Sequence, residues 1–140
     1  MYKRQIPALF SKKSEGYQFH ATYNDVNNPT KYLREILEIE FHNRNGEDLE
    51  ELKKGFPPFL NAVGYEWLYQ KEDAKGAIAI FKFGVQVFSD NANLYDSLGE
   101  ALHENGEEEL AVKNYEKSLE LNPENDNAKE MIKKIKEVLN

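Results

Sequence analysis

Residues 95–123 read YDSLGEALHENGEEELAVKNYEKSLELNP, and the architecture of the whole chain follows from this string. Tyr95, Leu98 and Leu102 recur at helical spacing, Gly106 interrupts, and Ala111 and Tyr115 continue a second helical stretch that Pro123 closes. Each position has a steric task. Gly99 and Ala111 are small where two antiparallel helices cross closely, Tyr115 fills the space between them, and Gly106 ends the first helix in a left-handed turn. Working outward, a shift of 34 residues lays the preceding region on this one without a gap: Leu68 falls on Leu102, Ala77 on Ala111, Phe81 on Tyr115, Val87 on Leu121 and Asn91 on Asn125. A helix–turn–helix unit is therefore repeated, and each hairpin must stack on a neighbour to bury its apolar face.

The period and the residues at Tyr95, Leu98, Gly99, Leu102, Gly106, Ala111, Tyr115 and Pro123 resemble the tetratricopeptide repeat family over residues 58–140. The resemblance implies an all-α fold: stacked antiparallel helical hairpins in a right-handed superhelix, with units at 58–91 and 92–125 and a capping helix at 126–140. The first unit is looser, with Asn61, Gly64 and Tyr65 where an aromatic, a leucine and a small residue are usual, and Ser89 in place of the closing proline. Helices are expected at 58–71, 74–88, 92–105, 107–121 and 126–139. In the last, Met131, Ile132, Ile135, Val138 and Leu139 are expected to face inward. Two units and a cap fall short of the three that usually make such an array stable.

The missing hairpin is expected from residues 29–56, a degenerate repeat. One helix begins at Asn28-Pro29 and carries Tyr32, Leu33, Ile36, Leu37, Ile39 and Phe41 until Asn43-Arg-Asn-Gly46 stops it. A short second helix over 47–54 turns Leu49 and Leu52 inward, and Gly55 with Phe56-Pro57-Pro58 breaks it. Before this lies an irregular segment, 1–28, in which Tyr17, Phe19, Ala21 and Tyr23 alternate with polar residues as a half-buried strand would.

Composition bounds what the stack can do. The chain has 140 residues, 18 basic and 25 acidic side chains and no cysteine. Disulfides, thiolate metal sites and cysteine nucleophiles are excluded. Twelve of the acids and only 6 of the bases lie after Asp90, so 6 of the 7 net negative charges belong to the second unit and the cap. Aromatics run the other way, with 15 of the 17 at or before Phe88. An acidic excess repels phosphate backbones and anionic lipid heads, and no apolar run approaches the roughly 20 residues that cross a membrane. The chain reads as soluble, with neither nucleic acid nor membrane as its partner. The cytoplasm is favoured, or the periplasm if the chain belongs to an exported hydrolase.

Catalytic motifs do not hold. Ser89-Asp90-Asn91 spells a motif of penicillin-recognising serine hydrolases, but no Ser-x-x-Lys accompanies it; Ser11-Lys-Lys-Ser14 misses. His20, His42 and His103 stand far apart, none with a second ligand at metal spacing, and Glu107-Glu108-Glu109 reads as the negative first turn of a helix. No catalytic residue, metal or cofactor is expected.

The resemblance also implies a function. The first helices of successive hairpins line a concave groove that holds a peptide or partner protein. Carried onto this sequence, that groove is lined by Phe59, Ala62, Glu66, Tyr69 and Gln70 from the first unit, and by Asn93, Asp96, Glu100, His103 and Glu104 from the second. Members that clamp a carboxylate place lysine, arginine and asparagine there. This chain places Ala62, Glu66, Asp96 and Ser97, which favours a basic or apolar ligand. The aromatic end, with Phe56, Phe59, Trp67 and Tyr69, must be covered by the N-terminal hairpin, by a partner or by a second copy. An alternative rests on LNAVGYEWL, residues 60–68, which together with the repeats is similar to the C-terminal tail of some bacterial serine hydrolases of β-lactamase-like and esterase types. On that reading the chain is an accessory or oligomerisation region of an enzyme whose catalytic domain lies upstream.

Overall fold

Asn91 and Asn125, 34 residues apart, each begin a helix in the same way: the side-chain oxygen of Asn91 accepts from the backbone N–H of Leu94 at 3.0 Å, and that of Asn125 from Ala128 at 3.2 Å. Each carboxamide satisfies one of the donors that a helix N-terminus leaves open. The computed structural model describes residues 29–140. Among them are α1 (Lys31–Asn43), α2 (Gly46–Tyr65), a π-helical turn (Glu66–Gln70), α3 (Ala74–Val87), α4 (Ala92–Glu104), α5 (Glu108–Leu121) and α6 (Asp126–Leu139). The described residues contain no strand and are all-α, with α2 to α6 packed each against the next in chain order and α4 with α5 most extensively. The alternating stretch at 17–23 and the rest of 1–28 lie outside the described residues.

The hairpin turns repeat as well. Gly106 takes φ +80°, and Glu72, 34 residues earlier, takes φ +51°. A left-handed residue is needed at both turns, and only the second unit supplies the glycine that adopts it without strain.

The N-terminal half departs from expectation at Phe56-Pro57-Pro58. No break occurs there: α2 runs unbroken from Gly46 to Tyr65 with both prolines inside it. The prolines withhold the N–H groups that would meet the carbonyls of Lys53 and Lys54, a cost of about 3 kcal/mol for each proline in an ordinary helix interior. Burial opposes it. Leu52, Phe56, Pro57, Phe59, Leu60 and Val63 are all buried on α2, and the Phe56 and Phe59 rings meet edge to face at 5.6 Å. Breaking the helix would expose that stripe. The helix expected over 47–54 and the one expected from 58 are thus one element.

A single core runs the length of the stack. Leu33, Ile36 and Leu37 of α1 belong to it together with Leu52 and Phe56 of α2, and the series continues through Trp67, Phe81, Leu98 and Tyr115 to Ala128 and Ile135. Phe56, Phe59 and Trp67 are covered within the chain, so the aromatic end needs no outside partner for these three. Inside α1, Glu40 is buried and its carboxylate accepts from the Arg44 guanidinium at 2.7 Å. On α6, only part of the expected inward set holds. Ile135 is buried and Met131 and Ile132 are half-buried, whereas Val138 is 80% and Leu139 53% exposed. The last helix has α5 on one side and no further helix among the described residues beyond it, so its final turn runs past the core.

Candidate functional site

The π turn sets the geometry of the face where the groove is expected. Its defining bond runs from the Lys71 N–H to the Glu66 carbonyl, five residues back, at 3.0 Å, where an α-helix would reach only four. One residue more than usual is thereby fitted into the first helix of the first unit. Tertiary contacts confirm the count. A methyl group on Gly64 would lie 2.3 Å from the Phe81 ring, and one on Gly99 would lie 3.1 Å from the Tyr115 ring, so Gly64 and Gly99 mark where the first helix of each unit approaches the ring of the second. These are 35 residues apart, while the rings they meet are 34 apart. The turn that follows shows the same excess: Asp73 donates to the Trp67 carbonyl at 2.9 Å, six residues back, and Glu107 to Leu102 at 2.9 Å, only five back.

Before the π turn, therefore, the spatial equivalences run at 35 rather than 34. Phe59 corresponds to Leu94, and both are buried. Of the ten residues expected to line the groove, Phe59 alone is a core residue; Ala62, Glu66, Asp96, Glu100 and His103 are half-buried, and Tyr69, Gln70, Asn93 and Glu104 are exposed. The same one-residue shift brings Asn61 and Tyr65 to the positions of Asp96 and Glu100, where the 34-residue register does not look for them.

Side chains on this face bridge successive first helices. Between α2 and α4, the Ser97 hydroxyl donates to the Asn61 side-chain oxygen, and Ser97 is itself buried. Between the π turn and α4, the Tyr69 hydroxyl donates to Glu100 Oε1 at 2.9 Å, and the Tyr69 ring stacks on Tyr65 at 6.0 Å with 4° between the planes. Between α4 and α6, Asp96 accepts from the side-chain amides of Asn125 at 3.0 Å and of Asn127 at 3.1 Å. Asn125 also donates to the Ser118 hydroxyl at 2.9 Å, which in turn donates to the Ala92 carbonyl at 2.7 Å. His103 turns instead toward the hairpin turn, its Nδ1 2.7 Å from Glu108 Oε2.

Beneath the face lies Tyr115, its ring packed against Gly99 and its hydroxyl sealed from solvent without a hydrogen-bond partner. Burial above all, then the charges of Asp96 and Glu100, holds its phenol well above the ordinary range. Burial also raises the phenols of Tyr65 and Tyr69, reinforced in both by the Glu100 carboxylate. All three hydroxyls stay protonated at neutral pH and can donate but not act as phenolate bases.

The acids here are also unbalanced. Some acids elsewhere pair locally with a lysine or arginine, as in Glu50–Lys53, Lys117–Glu120, Asp126–Lys129 and Glu40–Arg44. Among the described residues no lysine or arginine pairs with Asp96, Glu100 or Glu104. Lys71, just past the π turn, lies over the Trp67 ring, 5.1 Å from its centroid.

Ser89-Asp90-Asn91 forms the turn between α3 and α4: the Ser89 hydroxyl donates to Asp90 at 3.1 Å while Asn91 caps α4. With Phe41, Lys53, Pro57, Val87 and Phe88 it borders an open cavity of about 460 Å³, which none of the ten groove candidates lines. Among the described residues, no group of three or more His, Asp or Glu side chains is placed to hold a metal ion, and no helix is long and apolar enough to cross a membrane. No protein-family model matches the chain, and no curated protein matches it significantly.

Four contributors to the site were not assigned to the face from the sequence. Asn61 and Tyr65 were hidden by the π turn. Asn125 read only as the repeat partner of Asn91, and Tyr115 only as core filling. The hydroxyl of Tyr115 was the available signal, since Phe81 fills the equivalent space without one.

Proposed function

We propose that this chain is a non-catalytic interaction module that holds a peptide or a segment of a partner protein along the face made by α2, the π turn and α4. The observation that carries this reading is that nine of the ten groove candidates remain accessible on that face, with the Tyr69 ring 52% exposed. The bridges from Asn61 to Ser97 and from Tyr69 to Glu100 hold the helices together beneath it, so a ligand meets a surface that is already ordered. Stacked hairpins suit such a role because each contributes one helix to a continuous surface. Its acids act as hydrogen-bond acceptors and its phenols as donors, an arrangement that supports recognition rather than bond making.

The test is amide-resolved NMR of the full chain against a peptide array pool. Shifts concentrated on residues 61–70 and 93–104 are expected. Shifts confined to the cavity by Phe88, or no shifts with any peptide, would overturn the reading.

A further inference from the structure

Resting on the reading of this face as a peptide-holding surface, we propose that Glu100, Tyr69 and the Tyr115 hydroxyl form a subsite for an arginine side chain of the bound segment. Two independent observations point to it. The first is charge: Asp96, Glu100 and Glu104 lie within three turns of α4 and none has a lysine or arginine partner among the described residues, so this face carries three acids without a cation beside them. The second is the fully buried Tyr115 hydroxyl, which has no partner and lies in the field of Asp96, Glu100, Tyr65 and Tyr69. A buried hydroxyl with nothing to bond costs about 1–3 kcal/mol. A cation delivered from the face would answer both.

Arginine fits better than lysine. Its planar fork can donate twice to one carboxylate, and its face can lie on an aromatic ring. The Tyr65–Tyr69 stack offers such a ring beside Glu100, with its outer member exposed. In the free chain the Tyr69 hydroxyl occupies Glu100 Oε1. A guanidinium that takes this place frees the Tyr69 hydroxyl while its face lies on the Tyr69 ring, and the Tyr115 oxygen accepts a further N–H. Asp96 stays with Asn125 and Asn127 and contributes charge at a distance.

The experiment titrates the full chain with acetyl-(Gly-Arg)3-amide and with the peptide in which citrulline replaces each arginine, keeping shape and removing charge. Binding is read from the amide shifts of Gly99 and Glu100. The arginine peptide is expected to bind at least about tenfold more tightly, and E100Q to remove about that factor while leaving the citrulline peptide unchanged. E130Q, at an exposed acid on α6, controls for general attraction and should change affinity less than about twofold. Y115F should fold, become more stable and weaken the arginine peptide about threefold. Equal binding of the two peptides, an E130Q effect as large as that of E100Q, or unchanged affinity in Y115F would each overturn the subsite. If both peptides bind this face equally, the peptide-holding reading survives and only the arginine subsite falls; if neither binds, the subsite falls too.

Discussion

The two repeated units build nearly the same hairpin from different local solutions. In the second, α4 is regular to its end, Gly106 supplies the left-handed turn, and Gly99 meets Tyr115 at a tight but tolerable distance. In the first, α2 carries two prolines, finishes in a π turn, turns through a strained Glu72, and brings Gly64 hard against Phe81. The difference teaches that the hairpin is specified by where the close-approach glycine meets the aromatic ring. The first unit reaches that contact with one residue to spare, and the π turn absorbs it. Trp67 accompanies this solution: it is fully buried because Gly76 leaves room, a methyl there falling 2.3 Å from its ring.

Deletions would break the comparison most sharply. Removing Glu104, which ends the regular α4, should pull the last turn out of register and cost about 3 kcal/mol or more in urea unfolding. Removing the exposed Gln70 should convert the π turn to an α turn and cost less than about 1 kcal/mol. Equal costs would mean that the π turn is not a spare residue. Next come the glycines. Gly64→Ala should lose about 3 kcal/mol because a rigid buried ring must move. Gly99→Ala should lose about 1 kcal/mol, its helix propensity offsetting part of the crowding.

The caps test whether the polar bridging belongs to the second unit. Asn91→Ala removes one cap bond and should cost about 1 kcal/mol in thermal unfolding. Asn125→Ala also removes one hydrogen bond each from Asp96 and Ser118 and should cost about 2 kcal/mol. Tyr115→Phe makes the second unit like the first, and removing the orphaned hydroxyl should stabilise the chain by about 1 kcal/mol. It carries a pH signature. The folded chain holds the Tyr115 proton more tightly than the unfolded chain, in which a phenol ionises near its ordinary value of about 10. That contribution is complete below about pH 10 and is lost as pH rises above it, so the alkaline loss of stability should be shallower in the variant. The smallest effect is expected for Glu72→Gly, a gain of about 0.5 kcal/mol from a relaxed turn, partly offset by the freer unfolded chain.

Much of this molecule was legible because its determinants are local. Helical spacing, Gly106 and the 34-residue period identified α3 to α6 and their hairpin arrangement, since helices and turns of this kind are decided by residues within one or two turns of each other. The character of the face was legible too: Asp96, Glu100 and Glu104 are acidic wherever the helix places them. Decided only in three dimensions were the passage of α2 through Pro57 and Pro58, the π turn, and the resulting exchange of Phe59 for Tyr65 and Asn61 on the face. Each pits a local preference against burial. Proline breaks a helix and a π turn is poor by local measure, yet Phe56, Phe59, Leu60 and Trp67 can be covered together only if the helix continues and then gains a residue. The partnerless hydroxyl of Tyr115 belongs to the same class, because whether a buried group finds a partner depends on every element around it.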